Sequence, residues 1–325
     1  MLGAPRSGKT SVLASLAEQS ADQTSETSVH ASAESREVDL VPANVEAVWD
    51  ALSRARRSLD GALGPVGRLL LIDDFDSVYA RWDPDYRPAA LELLTGLLRD
   101  GGEGGLRVVV AAQRLGGALQ VLPALCQNRL LLRLADVAEH VGAGGTAAGF
   151  DDTLPPGGGS WQGHRIQLLG PEGGAAARCL DGTARGAEAD AAAERLATGP
   201  GRTLLVVSGS PPRTVAALRA ASGAEIVDLG LVTDAAQLRA AAPGAGTVFV
   251  GDAEAWQTHW SLLGSLRPHA ELVFDGCSLA DYRMISRRRD LPPPLAPGRG
   301  RVWAIQPDGT VRRAMLPVGP GRAGQ

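Results

Sequence analysis

Lysine is all but absent from this chain: of its 32 basic residues only Lys9 is a lysine, and the others are arginines. Aromatic residues make up just 4%, so the core must be built from aliphatic side chains, for which a hydrophobic content of 44% is sufficient. Cys126, Cys179 and Cys277 stand far apart with no C-x-x-C pair, which argues against a zinc site or a disulfide framework and fits a reducing compartment. No 18-residue apolar run and no charged-then-apolar leader occurs, so the polypeptide itself is expected to be soluble, cytoplasmic and unexported. A net charge of −4 gives no global attraction for nucleic acid, and any DNA contact would have to come from a local patch. The length of 325 residues favours two domains over one.

The single lysine lies in Gly3-Ala4-Pro5-Arg6-Ser7-Gly8-Lys9-Thr10, a complete G-x-x-x-x-G-K-[ST] phosphate-binding loop. Gly3 and Gly8 permit backbone geometry that a Cβ would obstruct, so that N–H groups can converge on phosphate oxygens at a helix start. Lys9 is suited to the β/γ-phosphates of ATP, and the Thr10 hydroxyl to Mg²⁺. A Gly/Pro-rich turn could match by accident, but a chain that uses arginine everywhere else has kept its one compact ammonium here. Only Met1 and Leu2 precede the loop, so the buried strand that normally supports it is expected to be missing, from a fragment or from a start set too late.

Arg68 to Ile72 reads as a buried parallel strand running into Asp73-Asp74-Phe75-Asp76. A phosphate-loop ATPase needs acid here: Asp73 is the candidate to hold Mg²⁺, and Asp74 the candidate base for the attacking water. A strand ending in a solvated Asp-Asp turn would look the same in isolation, but two matched motifs in the right order favour the functional reading. Val45 to Leu59 and Asp85 to Arg99 have helical spacing, and Leu106 to Ala112 is a second buried strand ending in Gln113. Ligands sit at the carboxyl ends of such strands, which makes Gln113 a candidate γ-phosphate sensor or simply a capped strand end.

Together with Asn128-Arg129-Leu130-Leu131-Leu132-Arg133-Leu134-Ala135-Asp136, these pieces resemble an FtsK/SpoIIIE-class motor, closest to the actinobacterial EccC-like branch of type VII secretion. The resemblance covers most of residues 1–170. It implies consecutive ATPase modules that assemble with other modules or subunits into hexameric rings or strings and move DNA or secreted protein. It also implies that Arg129, in an Arg-x-x-x-Arg strand with Arg133, is an arginine finger, although such an arginine can equally be a structural ion-pair partner. Membrane association would come only through partners or a missing N-terminal part of a larger complex.

The chain restarts at Thr203 to Leu218 with a strand, a turn and a helix. Aligning Arg213-Thr214 with Lys9-Thr10 puts Pro212 at the second glycine and loses both the lysine and a backbone donor. Thr247 to Glu254 then matches Leu69 to Asp76, with Gly251 in place of Asp73, and Leu154-Pro155-Pro156-Gly157 is echoed by Pro294-Leu295-Ala296-Pro297-Gly298.

The expected fold class is therefore α/β: two tandem RecA-like modules with mainly parallel sheets, the first without its leading strand and the second degenerate. Their expected bounds are 1–170 and 201–318, with a linker over 171–200 and a tail over 319–325. The arginines around 283–289 read as a solvated helix end rather than a phosphate-binding groove, and Trp256 and Trp260 as core. The leading function is ATP hydrolysis inside a translocating motor, with the second module for assembly or docking. The alternative is a non-catalytic, truncated regulator that pairs with a complete motor.

Overall fold

The computed structural model describes residues 1–22, 37–61, 67–169, 194–232, 238 and 246–317. Residues 23–36 and 62–66 lie outside these residues, as does the expected linker up to residue 193. The chain divides into two compact units, Met1–Ala187 and Glu188–Gln325. Glu194 to Leu196 already belong to the second, since Leu196 N–H donates to Met315 O at 2.8 Å.

The first unit contains α1 (Lys9–Asp22), β1 (Glu37–Val41), α2 (Val45–Asp60), β2 (Arg68–Ile72), α3 (Phe75–Arg81), α4 (Tyr86–Asp100) and β3 (Leu106–Val110). After these come α5 (Leu122–Leu125), β4 (Leu130–Leu132), α6 (Val137–Gly142), β5 (Gly158–Trp161) and β6 (His164–Gln167). Helix α2 shows why the local readings succeed. The Asn44 side chain accepts from the N–H groups of Glu46 and Ala47, and Val45, Val48, Ala51, Leu52 and Ala55 recur at helical spacing on the buried face. Strand β2 is apolar without alternation because it is an inner strand, and Leu71 and Ile72 are fully buried.

Strands β1, β2 and β3 form a parallel sheet in that order, and β4, β5 and β6 an antiparallel one. Leu2 joins them, bridging in parallel to Ala112 on one side and Leu131 on the other. Its N–H donates to Leu130 O at 2.9 Å, and its carbonyl accepts from Leu132 N–H at 2.8 Å. The place of the leading strand is thus occupied by Met1 and Leu2, and the neighbour order is β1, β2, β3, Leu2, β4, β5, β6. Leu2 thereby ties the start of the loop to both adjoining strands.

The second unit contains β7 (Leu204–Ser208), α7 (Pro211–Ala221), β8 (Glu225–Asp228), β9 (Thr247–Gly251), α8 (Ala253–Thr258), α9 (Trp260–Leu266) and β10 (Glu271–Asp275). It continues through α10 (Leu279–Ser286), β11 (Arg301–Ile305) and β12 (Val311–Met315). Its sheet runs β12, β11, β10, β7, β9, β8, with β10, β7, β9 and β8 parallel and β11 and β12 antiparallel. Trp256 anchors the core, fully buried with its indole N–H donating to Val206 O at 2.9 Å.

This order corrects the matching of Thr247–Glu254 with Leu69–Asp76. Strand β9 lies directly against β7, the place that β3 takes beside Leu2, whereas β2 lies one strand further out. Among the described residues the second unit has four parallel strands where the first has five parallel positions, so counting strands from the loop shifts the match by one. Gly251 is therefore not the counterpart of Asp73. That place falls to Asp228 at the end of β8, whose carboxylate caps Gly230 N–H at 3.1 Å.

Candidate functional site

The loop of the first unit is tied down on several sides. Gly3 N–H donates to Ala112 O at 3.2 Å, Ala4 N–H to Arg133 O at 2.8 Å, and Ser7 O accepts from Gly157 N–H at 2.8 Å. Arg6 has φ of 59° and Gly8 of 97°, so the loop turns twice through left-handed backbone. A Cβ on Gly8 would stand 2.8 Å from Gly157 N, and one on Gly3 would stand 2.3 Å from the Ser7 hydroxyl. Gly8 is required by backbone angle and by the approach of the 154–158 turn, and Gly3 by packing alone. The first-turn amides of α1, from Lys9 on, have no intrahelical partner, as at any helix start, and are available to phosphate.

Lys9 is 7% exposed and folds back on the loop, its Nζ donating to Gly3 O at 2.6 Å and Ala4 O at 3.1 Å. Burial lowers its pKa, opposed by the charges of Asp74, Asp73 and Asp76. Among the described residues it makes no ion pair, so a buried ammonium is left with carbonyl partners only. A phosphate would supply the missing counter-charge.

Thr10 and Asp73, 63 residues apart, meet: the Thr10 hydroxyl donates to Asp73 Oδ2 at 2.8 Å. Asp73 Oδ1 is buried without any partner. Burial, reinforced by Asp74, raises the Asp73 pKa, while the Thr10 bond and Lys9 act against it. An orphaned carboxylate oxygen beside a hydroxyl is the oxygen donor set that a hard cation such as Mg²⁺ takes, so the residues fit that metal. Because the folded pKa is raised, Asp73 contributes most to stability below its unfolded pKa and loses that contribution as pH rises through the folded value. Asp73→Asn is expected to raise the melting temperature of the ligand-free protein at neutral pH, with a gain that shrinks below pH ~4, and to remove any Mg²⁺-dependent nucleotide binding. Thermal melts at the two pH values check the first effect, and nucleotide titrations with and without Mg²⁺ the second.

Asp74 adopts φ 47°, ψ 46° at the N-cap of α3, a left-handed conformation that costs a non-glycine residue ~1–2 kcal/mol. It turns the Asp74 carboxylate toward the end of β3, where Gln113 Nε2 donates to Asp74 Oδ1 at 2.9 Å. The candidate base and the candidate γ-phosphate sensor are therefore in direct contact.

Arg129 is not brought to the loop. It is exposed, with Nε donating to Cys126 O at 3.4 Å, and it lines a cleft of about 820 Å³ together with Arg133, His140, Phe150 and Arg165. None of residues 3–10 lines that cleft. Arg133 contributes to the site through its backbone carbonyl, which holds Ala4.

Three contributors are not assigned from sequence: Leu2 as a strand, Gly157 as the brace against Ser7 and Gly8, and Asp76. The Leu154-Pro155-Pro156-Gly157 pattern with its echo at Pro294-Leu295-Ala296-Pro297-Gly298, and the third acid of Asp-Asp-Phe-Asp, were the available signals.

Against this geometry stand the comparisons with known proteins. No family model and no curated protein matches the sequence. Similar solved structures include EssC and EccC ATPase domains. EssC (ATPases 2 and 3) from Geobacillus thermodenitrificans aligns with a TM-score of 0.37 at 12% identity, covering 98% of this chain and 90% of that one. Thermomonospora curvata EccC (ATPases 2 and 3), in complex with a signal sequence peptide, aligns at 0.37 and 12%, covering 94% and 75%. The cytoplasmic domain of the T. curvata type VII secretion ATPase EccC gives 0.40 and 12%, covering 97% of this chain and 56% of that one. Among the described residues no helix is long and apolar enough to cross a membrane.

The corresponding turn of the second unit is closed. Only Gly209 and Ser210 separate β7 from α7, and the helix opens on Pro211-Pro212, which have no N–H to offer. Thr214 Oγ1 donates to Asp275 Oδ2 at 2.7 Å, so the Ser208 hydroxyl, 2.8 Å from Thr214 Oγ1, must donate to it and accepts in turn from Ser210 N–H at 3.0 Å. Arg213, aligned with buried Lys9, is exposed. Thr214→Val would leave the buried Ser208 hydroxyl proton without its acceptor and the half-buried Asp275 Oδ2 without its donor, and is expected to destabilise this unit by ~1–3 kcal/mol in urea unfolding.

The arginines near the end of α10 are engaged within the fold. Arg288 holds Asp290 at 2.9 Å and Gly309 O at 2.6 Å, and Arg287 lies 4.2 Å above the centre of the Trp260 ring. Trp256 and Trp260 fall on two helices, α8 and α9, with Trp256 in the core and Trp260 half-buried beneath Arg287.

Proposed function

We propose that the first unit is an ATP-binding and ATP-hydrolysing motor module of an FtsK/SpoIIIE-like, EccC-like translocase, and that the second unit serves assembly or docking. The observation that carries this reading is the pairing of Thr10 with Asp73 next to an unpartnered Asp73 Oδ1, in front of a buried Lys9. Residues Gly3 to Thr10 would cradle the phosphates, and Thr10 and Asp73 would hold Mg²⁺, which supplies charge neutralisation when bound. Lys9 would exchange its loop carbonyls for phosphate oxygens. Asp74 would accept the proton of the attacking water, and Gln113, bound to Asp74, would orient that water and sense the terminal phosphate. Arg129, exposed and away from its own loop, suits a finger directed at a neighbouring module. The partners are other ATPase modules or subunits in a ring or string, and the cargo is DNA or secreted protein. The setting is cytoplasmic, with the membrane reached through partners or through an N-terminal part of a larger complex.

A second reading, a non-catalytic regulator that pairs with a complete motor, is favoured by the closed turn of the second unit, which leaves no cradle for phosphate. Mg²⁺-dependent ATP turnover, measured with and without a complete partner ATPase, separates the two. The motor reading expects turnover that is lost in Lys9→Ala. Absence of turnover under both conditions would leave the regulator.

A further inference from the structure

The third acid of Asp73-Asp74-Phe75-Asp76 touches neither the loop nor the metal pair. It lies in the first turn of α3, yet its carboxylate does not cap that helix. Oδ1 accepts from Gln113 N–H and Oδ2 from Arg114 N–H, each at 3.0 Å. One carboxylate therefore clamps two successive amides of the chain leaving β3, with the charge assistance that strengthens such bonds. Phe75 N–H adds a third tie between the same segments, donating to Ala111 O at 2.9 Å. Asp74 sits at the centre of this set of ties in its left-handed conformation, and the Gln113 side chain reaches it from the clamped backbone.

We infer that Asp76 is a positioning residue that sets the Asp74–Gln113 pair by fixing the backbone at 113–114, an inference that rests on the ATPase reading for its catalytic consequence. A conformation disfavoured at Asp74 persists only where its surroundings over-determine it, and Asp76 and Phe75 supply those constraints on the β3 side. Without the Asp76 clamp, Gln113 loses its fixed origin, and the carboxamide no longer selects which oxygen of Asp74 is engaged. Phosphate binding at Lys9 and Thr10 shares none of these bonds, so the effect should fall on turnover rather than on nucleotide affinity.

The test compares Asp76→Ala and Asp76→Asn with the wild-type chain in MgATP turnover, with partner ATPase present. Asp76→Ala is expected to lower kcat ~10- to 100-fold while KM moves less than ~3-fold, and Asp76→Asn, which keeps one acceptor, to fall between. In the Asp74→Asn background, Asp76→Ala is expected to add little, since both act on one step. Amide hydrogen exchange is a second readout, expected to accelerate at Gln113 and Arg114 and not at Val109 in Asp76→Asn. If kcat stays within ~2-fold of wild type in Asp76→Ala while Lys9→Ala abolishes turnover, the positioning role is overturned and the ATPase reading stands. If the wild-type chain shows no turnover, the ATPase reading fails, and unchanged exchange at 113 and 114 overturns the clamp independently.

Discussion

Lys9→Ala is expected to weaken MgATP binding by ~100-fold or more, the loss of a charge-assisted contact to phosphate from a site shielded from water. The ammonium is 7% exposed and is satisfied only by the carbonyls of Gly3 and Ala4. Its burial is already unfavourable in the free protein, as its lowered pKa records. Removing it should therefore leave the melting temperature of the ligand-free protein unchanged or slightly higher, so a binding defect cannot be ascribed to unfolding. Lys9→Arg is expected to fail as well, because a planar fork cannot occupy the place of a point charge inside this loop. Titration with a fluorescent ATP analogue, alongside a thermal melt, gives both numbers. A Kd within ~3-fold of wild type in Lys9→Ala would remove the loop from the function.

Asp74→Asn is expected to produce the opposite pattern: nucleotide binding retained and kcat reduced by ~10²–10⁴-fold, the usual size of a lost general base. Asparagine tolerates the left-handed conformation at this position and its carbonyl can still accept from Gln113, so the turn between β2 and α3 survives. What it cannot do is take a proton. Single-turnover hydrolysis measured beside equilibrium binding isolates that defect. A variant that hydrolyses at the wild-type rate would move the base elsewhere.

What sequence could reveal follows from the range of the interactions involved. The loop, the strand into Asp73-Asp74 and the strand into Gln113 are local patterns of chemistry and periodicity, and each stands where it was expected. Their convergence was inferable because parallel strands present their carboxyl ends together. Sheet neighbours are another matter. That β9 adjoins β7, and that Leu2 fills a strand position with a single pair of bridges, depends on partners more than 40 residues away. The Gly157 brace is likewise invisible because its partner, Ser7, is 150 residues distant. The arginines at 287–289 read as a solvated helix end, but Asp290 and the Trp260 face engage two of them.

The self-contained hydrogen-bond chain from the Ser208 and Thr214 hydroxyls to the Asp275 carboxylate has a thermodynamic consequence. A turn whose polar groups satisfy one another gains nothing by mass action from a phosphate ligand, whereas a loop whose ammonium is held only by carbonyls, beside an unpartnered carboxylate oxygen, would gain. Under the proposed ATPase reading the two halves of the chain would respond to different variables: nucleotide concentration would set the stability of the first and leave that of the second unchanged.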